Sequence, residues 1–335
     1  MQIQFSIVVP VYNRPDEVAE LLESIAKQTF QDDFEVVIVE DGSTLPSKEI
    51  VDSYSEVLNI SYYFKPNSGP GDSRNYGMQR AKGNYYLIFD SDCILPPQYL
   101  AEVSKALKDK YVPCFGGPDA AHSSFTAIQK AISYVMTSFL TTGGIRGGKK
   151  AVNKFQPRSF NMGISKEAFE ATQGFGQIHP GEDPDLTIRI WKEDFATRLI
   201  PEAYVYHKRR ISWEKFFIQV NKFGMVRPIL NVWHPETAKL TYWFPTLFCV
   251  GLVIAGLLSI FFAFHWFLIG YAVYFIAIFL DALRTTKSIN IAFLAIIAVC
   301  IQFYGYGIGF LKSTIAVGIL KQKPEERFPK LFFKK

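Results

Sequence analysis

The 39 residues from Tyr242 to Leu280 contain no Asp, Glu, Lys or Arg. A helix needs roughly 20 predominantly apolar residues to cross a bilayer, so this stretch is long enough for a hairpin of two spans and excludes a purely soluble protein. The segmentation predicts spans over about Trp243–Phe264 and Trp266–Leu283, with a tight turn near His265, and a third apolar stretch from Ile289 to Leu311 or beyond. Charge divides at the same place. Met1 to Pro235 holds 26 basic and 27 acidic residues, net −1, whereas Glu236 to Lys335 holds 10 basic and 4 acidic, net +6. The positive excess lies beside the apolar segments and not in a basic groove interleaved with aromatics, so anionic lipid headgroups are its expected partners and nucleic acid is not.

The first 25 residues do not read as a signal peptide, because Pro15, Asp16, Glu17 and Glu20 interrupt any apolar core. The N-terminal part is therefore expected to stay in the cytosol, attached to the cytoplasmic membrane through a multi-pass tail. Cys93, Cys114, Cys249 and Cys300 show no ligand spacing, which argues against a zinc site or a disulfide framework.

Apolar runs and helix signals alternate through the first 90 residues. Strands are predicted at Phe5–Pro10, Phe34–Val39, Ile60–Phe64 and Tyr85–Phe89, with helices after Asn13, over Ser47–Leu58 and over Ser73–Lys82. Asn13 reads as a helix cap before Pro15. Such alternation implies an α/β domain with a mostly parallel sheet, and ligands of such sheets bind beyond the carboxyl ends of the strands. Those ends carry Tyr12 and Asn13, then Asp41, Gly42 and Ser43, then Asp90 and Asp92. Further helices are predicted at Phe125–Leu140, Lys166–Thr172, Asp183–Glu193 and Trp213–Phe223. Asp90 and Asp92 are two apart in an extended segment, so both carboxylates face one way, an arrangement suited to Mg²⁺ or Mn²⁺ shared with substrate phosphates.

Four segments in order, SIVVPVYN at Ser6–Asn13, VEDGST at Val39–Thr44, DSD at Asp90–Asp92 and GEDPDLTIR at Gly181–Arg189, resemble a family 2 glycosyltransferase with the GT-A fold. The resemblance covers about Ile3 to His207, and the tail is similar to membrane-attached members that build cell-surface polysaccharides or lipid-linked glycans. It implies a GT-A domain over 1–210, an amphipathic interface segment over 211–240, transmembrane helices within 241–320 and a basic tail over 321–335.

By the same resemblance, Pro10, Tyr12 and Asp41 hold the nucleotide base, with Glu40 standing where many relatives have Asp. Arg74, Asp90 and Glu182 are expected to bind the donor or line its cleft, and Asp92 and His207 to hold Mn²⁺ or Mg²⁺. Asp183 is expected to be the catalytic base. Asn161 and the Gly143–Gly148 stretch are expected to shape the donor-sugar pocket. Gln219–Phe223 only faintly resembles the QxxRW motif of processive synthases, since Lys222 and Phe223 replace Arg and Trp.

The implied activity is inverting, metal-dependent transfer from a nucleotide-diphosphate sugar to a hydroxyl of a lipid-linked or nascent polysaccharide acceptor, alongside other membrane assembly enzymes. Two alternatives stand beside it: a polyprenyl-phosphate glycosyltransferase, and an inactive membrane scaffold that binds sugar nucleotide.

Two further expectations concern the tail. Three full spans from a cytosolic domain would put the basic C-terminus outside, against the positive-inside rule. Two full spans plus a final segment that does not cross, with Gly305, Gly307 and Gly309 as places for Ile289–Val317 to bend or lie re-entrant, reconcile the two. Trp213, Phe216, Phe217, Val220 and Gly224 form one apolar face expected to lie among acyl chains, with Arg209 and Arg210 at its start.

Overall fold

The computed structural model describes residues 3–120, 125–143, 155–207 and 212–333. Arg209, Arg210 and the glycines from 144 to 148 lie outside the described residues. The chain divides into two compact units.

The first unit begins with β1 (Phe5–Val11), α1 (Pro15–Ala26), β2 (Phe34–Asp41), α2 (Lys48–Ser53), β3 (Ile60–Lys65), α3 (Pro70–Arg80) and β4 (Tyr85–Phe89). It continues through β5 (Cys93–Ile94), α4 (Tyr99–Asp109), β6 (Cys114–Gly116) and β7 (Asp119–Ala120). After α5 (Ala127–Thr137) and α6 (Phe139–Thr142), which belong to the second unit, it resumes with β8 (Asn161–Ser165), α7 (Lys166–Thr172), α8 (Glu182–Lys192), β9 (Thr197–Leu199) and β10 (Val205–His207).

Seven strands form one sheet in the order β3-β2-β1-β4-β8-β6-β9, and β5-β10-β7 form a second, small one. β1, β2, β3 and β4 are parallel, as the alternating apolar runs require. Ile7, Val8 and Val9 are all fully buried, so both faces of β1 are covered. α1 is set by Pro15 in its first turn with Asp16 and Glu17 at the positive dipole end, and it buries Val18, Leu21, Leu22 and Ile25 at helical spacing against β1 and β2. Its cap is Arg14 and not Asn13. Asn13 instead adopts φ 53°, and its Oδ1 accepts from the backbone N–H groups of Thr44 and Leu45 at 2.8 and 2.9 Å, tying the loop after β1 to the loop after β2.

β8 runs antiparallel between β4 and β6, so it alone opposes the other six strands of the sheet. The small sheet pairs His207 with Cys93 across antiparallel strands. Strands of two and three residues carry no periodicity, yet this one places His207 beside the segment that follows β4.

The second unit contains α5, α6, α9 (Trp213–Trp233), α10 (Phe244–Phe262), α11 (Trp266–Thr286) and α12 (Ile289–Ser313), the last continuing as a π-helical stretch to Ile319. Leu240–Phe262, Trp266–Thr286 and Ile289–Ile319 are long and apolar enough to cross a membrane, which indicates membrane association. α10 and α11 expose Leu247, Val253, Ile260, Phe261 and Val273 among others, the signature of a surface made for lipid.

Two expectations about this unit are corrected. Phe216 and Val220 are buried against Ala295, Ala298 and Phe303 of α12, so this stripe is filled by a neighbouring helix and does not meet acyl chains. Gly305 and Gly309 do not break α12, which is continuous through them. They are where α9 comes closest: a Cβ on Gly309 would lie 2.3 Å from the carbonyl oxygen of Asn221, and one on Gly224 would lie 2.2 Å from that of Tyr306. Small residues let the two backbones approach, and Asn221 Nδ2 donates to the Gly305 carbonyl at 2.9 Å across the contact.

Candidate active site

The carboxyl ends of β1 and β2 form the first wall. Tyr12 projects from the end of β1 with its residue 52% exposed, free to stack on a planar ligand, and Pro10 precedes it at partial exposure. Asp41 is different. Its Oδ1 accepts from Lys65 Nζ and the Ser68 N–H, each at 2.9 Å, and its Oδ2 from the Gly69 N–H at 2.9 Å and Asn67 Nδ2 at 3.2 Å. Four donors meet this one carboxylate, so Asp41 organises residues 65–69. Glu40 is also internal, accepting from Ser43 Oγ, from the N–H and hydroxyl of Ser47, and from Tyr62 Oη. Burial and Glu40 together push the Tyr62 phenol well up.

The second wall follows β4. Asp90 is partly exposed, and Asp92 lies 3.2 Å through Oδ1 from His207 Nε2. The ring of His207 stacks on Phe160, centroids 4.5 Å apart and 15° from coplanar, which fixes its plane. Ligand atoms of Asp92, Cys93 and His207 lie within 4.8 Å of one another, close enough to share one ion. The carboxylate oxygen suits Mn²⁺ or Mg²⁺ with water and phosphate completing the sphere, and the imidazole nitrogen favours Mn²⁺ of the two. Cys93 fits packing better: it is buried, and its Sγ donates to the Phe160 carbonyl at 3.3 Å.

The third wall is the start of α8. Three acids, Glu182, Asp183 and Asp185, occupy its first turn, where the helix dipole favours negative charge. Arg74, on α3, is buried and clamps two walls together: Nη2 donates to Asp90 Oδ1 at 2.6 Å and Nη1 to Glu182 Oε1 at 3.1 Å, over the face of Phe175. Burial would lower the Arg74 pKa, but Asp90 and Glu182 more than offset it, and the pKa is raised. Burial alone would raise the Glu182 carboxyl. His179, whose Nδ1 is 2.9 Å from Oε1, and Arg74 outweigh it and hold Glu182 down to about 2. Arg74 thus bridges Glu182 and Asp90, while Arg74 Nε and Glu182 Oε2 are buried without a hydrogen-bond partner.

Asp183 faces another way, with Arg158 Nη1 3.6 Å from its Oδ2. Both side chains keep about a fifth of their surface exposed. Sequence reading missed Arg158 because it lies outside any motif, in the turn that pairs Arg158 with Asn161 ahead of β8. Asn161 itself is fully buried, accepting from Tyr99 Oη at 2.6 Å and donating to the Ala203 carbonyl at 2.8 Å, so it braces the core and does not shape a sugar pocket.

Residues 6–172 match the family model of glycosyl transferase family 2. The chain belongs to that family, and its catalytic unit has the GT-A type of fold. It is similar to the poly(ribitol-phosphate) β-N-acetylglucosaminyltransferase TarS of Staphylococcus aureus, 36% identical over 112 residues, covering 32% of this chain and 20% of TarS. It is also similar to a poly(ribitol-phosphate) β-glucosyltransferase of Bacillus spizizenii, 38% identical over 94 residues, covering 27% of this chain and 15% of the relative. The matched part thus spans a fifth or less of those relatives. The mannosyltransferase PcManGT of Pyrobaculum calidifontis, solved with GDP-Man and Mn²⁺, shares the fold over 96% of this chain and 89% of its own, with TM-score 0.56 and 15% identity.

Proposed function

We propose that the chain is an inverting glycosyltransferase that moves one sugar from a nucleotide-diphosphate donor to a hydroxyl of a lipid-linked or nascent cell-surface glycan. The observation that carries this is the Arg74 clamp, which joins the aspartate pair after β4 to the acidic start of α8. Donor and acceptor groups then meet in one cleft.

In this reading the acceptor hydroxyl gives its proton to the Asp183 carboxylate as its oxygen attacks the anomeric carbon from the face opposite the diphosphate. The bond from that carbon to the phosphate oxygen breaks, and the nucleoside diphosphate departs with the electron pair. Asp92 and His207 would hold the divalent ion. When bound, such an ion neutralises charge on the departing diphosphate. Tyr12 stacks on the base, and Arg158 orients Asp183. The test is whether purified protein releases nucleoside diphosphate from a sugar nucleotide in the presence of Mn²⁺.

One observation favours a second reading, a polyprenyl-phosphate acceptor: Arg158 places a cation 3.6 Å from Asp183, where an ionised acceptor oxygen would be attracted. A phosphate needs no base, so the effect of removing the Asp183 carboxylate separates the two readings.

The setting proposed for this reaction is the cytosolic face of the cytoplasmic membrane. Support comes from the last excursion of the chain from the catalytic unit: it leaves after His207, and Phe332 returns to pair with Ile178. A segment that starts and ends on one side of a bilayer crosses it an even number of times. α10 and α11 are the two crossings, each only 11% buried within the protein over its apolar window, while the α12 run is 50% buried and does not cross. A Lys330→Cys variant with Cys249 and Cys300 replaced by Ser should therefore resist an impermeant maleimide in intact spheroplasts and label only after permeabilisation. Labelling before permeabilisation would refute this arrangement.

A further inference from the structure

After the last membrane-associated helix the chain comes back to the catalytic unit through an isolated β-bridge. Phe332 pairs antiparallel with Ile178, and the Phe333 N–H donates to the Gln177 carbonyl at 3.1 Å. The Phe333 ring then enters a space bounded on one side by Gly69 and on the other by His179. Gly69, at φ 93°, has no room for any side chain: a Cβ there would lie 2.3 Å from Phe333 Cγ. The rings of Phe333 and His179 are 5.9 Å apart between centroids and tilted by 54°.

Both neighbours lead into the site. The Gly69 N–H donates to Asp41, within the loop that Asp41 organises. His179 Nδ1 lies 2.9 Å from Glu182 Oε1, and Glu182 connects through Arg74 to Asp90. One aromatic ring thus touches the loop on the nucleotide side and the loop that precedes Glu182 and Asp183. The His179 side chain is 38% exposed, whereas the Glu182 carboxylate it supports is 4% exposed. An imidazole that exposed has rotamers open to it that abandon Glu182, and Phe333 is the aromatic ring packed beside it.

We propose that Phe333 is a positioning residue, holding His179 on Glu182 and so fixing the start of α8 against the Arg74 clamp. The inference rests on the transferase reading for its consequence, but the docking it describes stands by itself. A displacement of about 1 Å in a reacting group can cost on the order of 10²-fold in rate, and a loosened supporting contact costs part of that. Through His179 the ring bears on the start of α8, and through Gly69 on the loop that Asp41 organises.

The experiment uses the full chain in detergent or nanodiscs, with Phe333→Ala, Phe333→Leu and Phe333→Tyr. Hydrogen exchange followed by mass spectrometry reads protection of residues 175–183, and steady-state kinetics read kcat and donor KM. In Phe333→Ala, exchange in that segment should speed up about 10-fold and kcat fall about 10-fold, with the melting temperature unchanged. Phe333→Tyr keeps the ring and should restore both, and Phe333→Leu should fall between. Unchanged exchange in Phe333→Ala would show that the returning segment does not dock. Faster exchange with unchanged kcat would overturn the positioning role. A wild-type chain that turns over no donor would defeat the transferase reading and with it the positioning role, and the exchange measurement would still decide the docking.

Discussion

Replacing Asp183 with Asn should slow glycosyl transfer by roughly 10²- to 10⁴-fold, the range that a well-placed general base contributes. The amide keeps the shape of the side chain but cannot take the acceptor's proton. Donor affinity should stay within about twofold, because the groups assigned to the base and diphosphate, Tyr12, Asp92 and His207, lie on the other walls of the cleft and are untouched. The effect is expected in the chemical step and should appear in single-turnover rates, with calorimetry for donor binding as the control. Arg158 sharpens the expectation, since the variant leaves its guanidinium without the carboxylate 3.6 Å away and so should bind an anionic acceptor no worse than the parent. A fully active Asp183→Asn enzyme would reject the base and favour the polyprenyl-phosphate acceptor.

The second large effect is on the ion. Asp92→Ala should abolish the part of donor affinity that depends on Mn²⁺, and His207→Ala should weaken it by at least about 10-fold, on the scale of losses seen when support for a metal site is removed. The two side chains are 3.2 Å apart, and His207 is held flat against Phe160, so neither can swing to replace the other. Titrations of donor with and without Mn²⁺ separate a lost ligand from a lost fold, because the metal-independent part of binding should persist in both variants. Equal metal dependence in parent and Asp92→Ala would remove Asp92 from the site.

The parallel half of the sheet was legible because β1, β2 and β4 are buried on both faces and must be written as continuous apolar runs. Tyr85–Phe89 and Lys166–Thr172 have the predicted boundaries. β8 and the strands of the small sheet were not legible, since two to five residues with Asn, Gly and Ser among them carry no period. α9 runs ten residues beyond its predicted end because packing along α12 sustains it through Pro228, a residue that locally argues for a stop.

Among the site residues, motif spacing located Asp90, Asp92, Asp183 and His207 without their partners. That Asp41 organises residues 65–69, or that Arg74 is buried between two acids, depends on loops whose paths no pattern in the chain encodes. Arg158 and Phe333 follow the same rule. They are ordinary residues made relevant by where distant parts of the chain come to rest.

The most direct test of the central proposal is release of nucleoside diphosphate by the purified full chain. A panel of UDP- and GDP-sugars would be incubated with Mn²⁺, with EDTA, and with Asp92→Ala in place of the parent. At least one donor should be turned over by the parent, with the rate lost in EDTA and in the variant. No release from any donor in the presence of Mn²⁺, or release that neither EDTA nor Asp92→Ala diminishes, would contradict it.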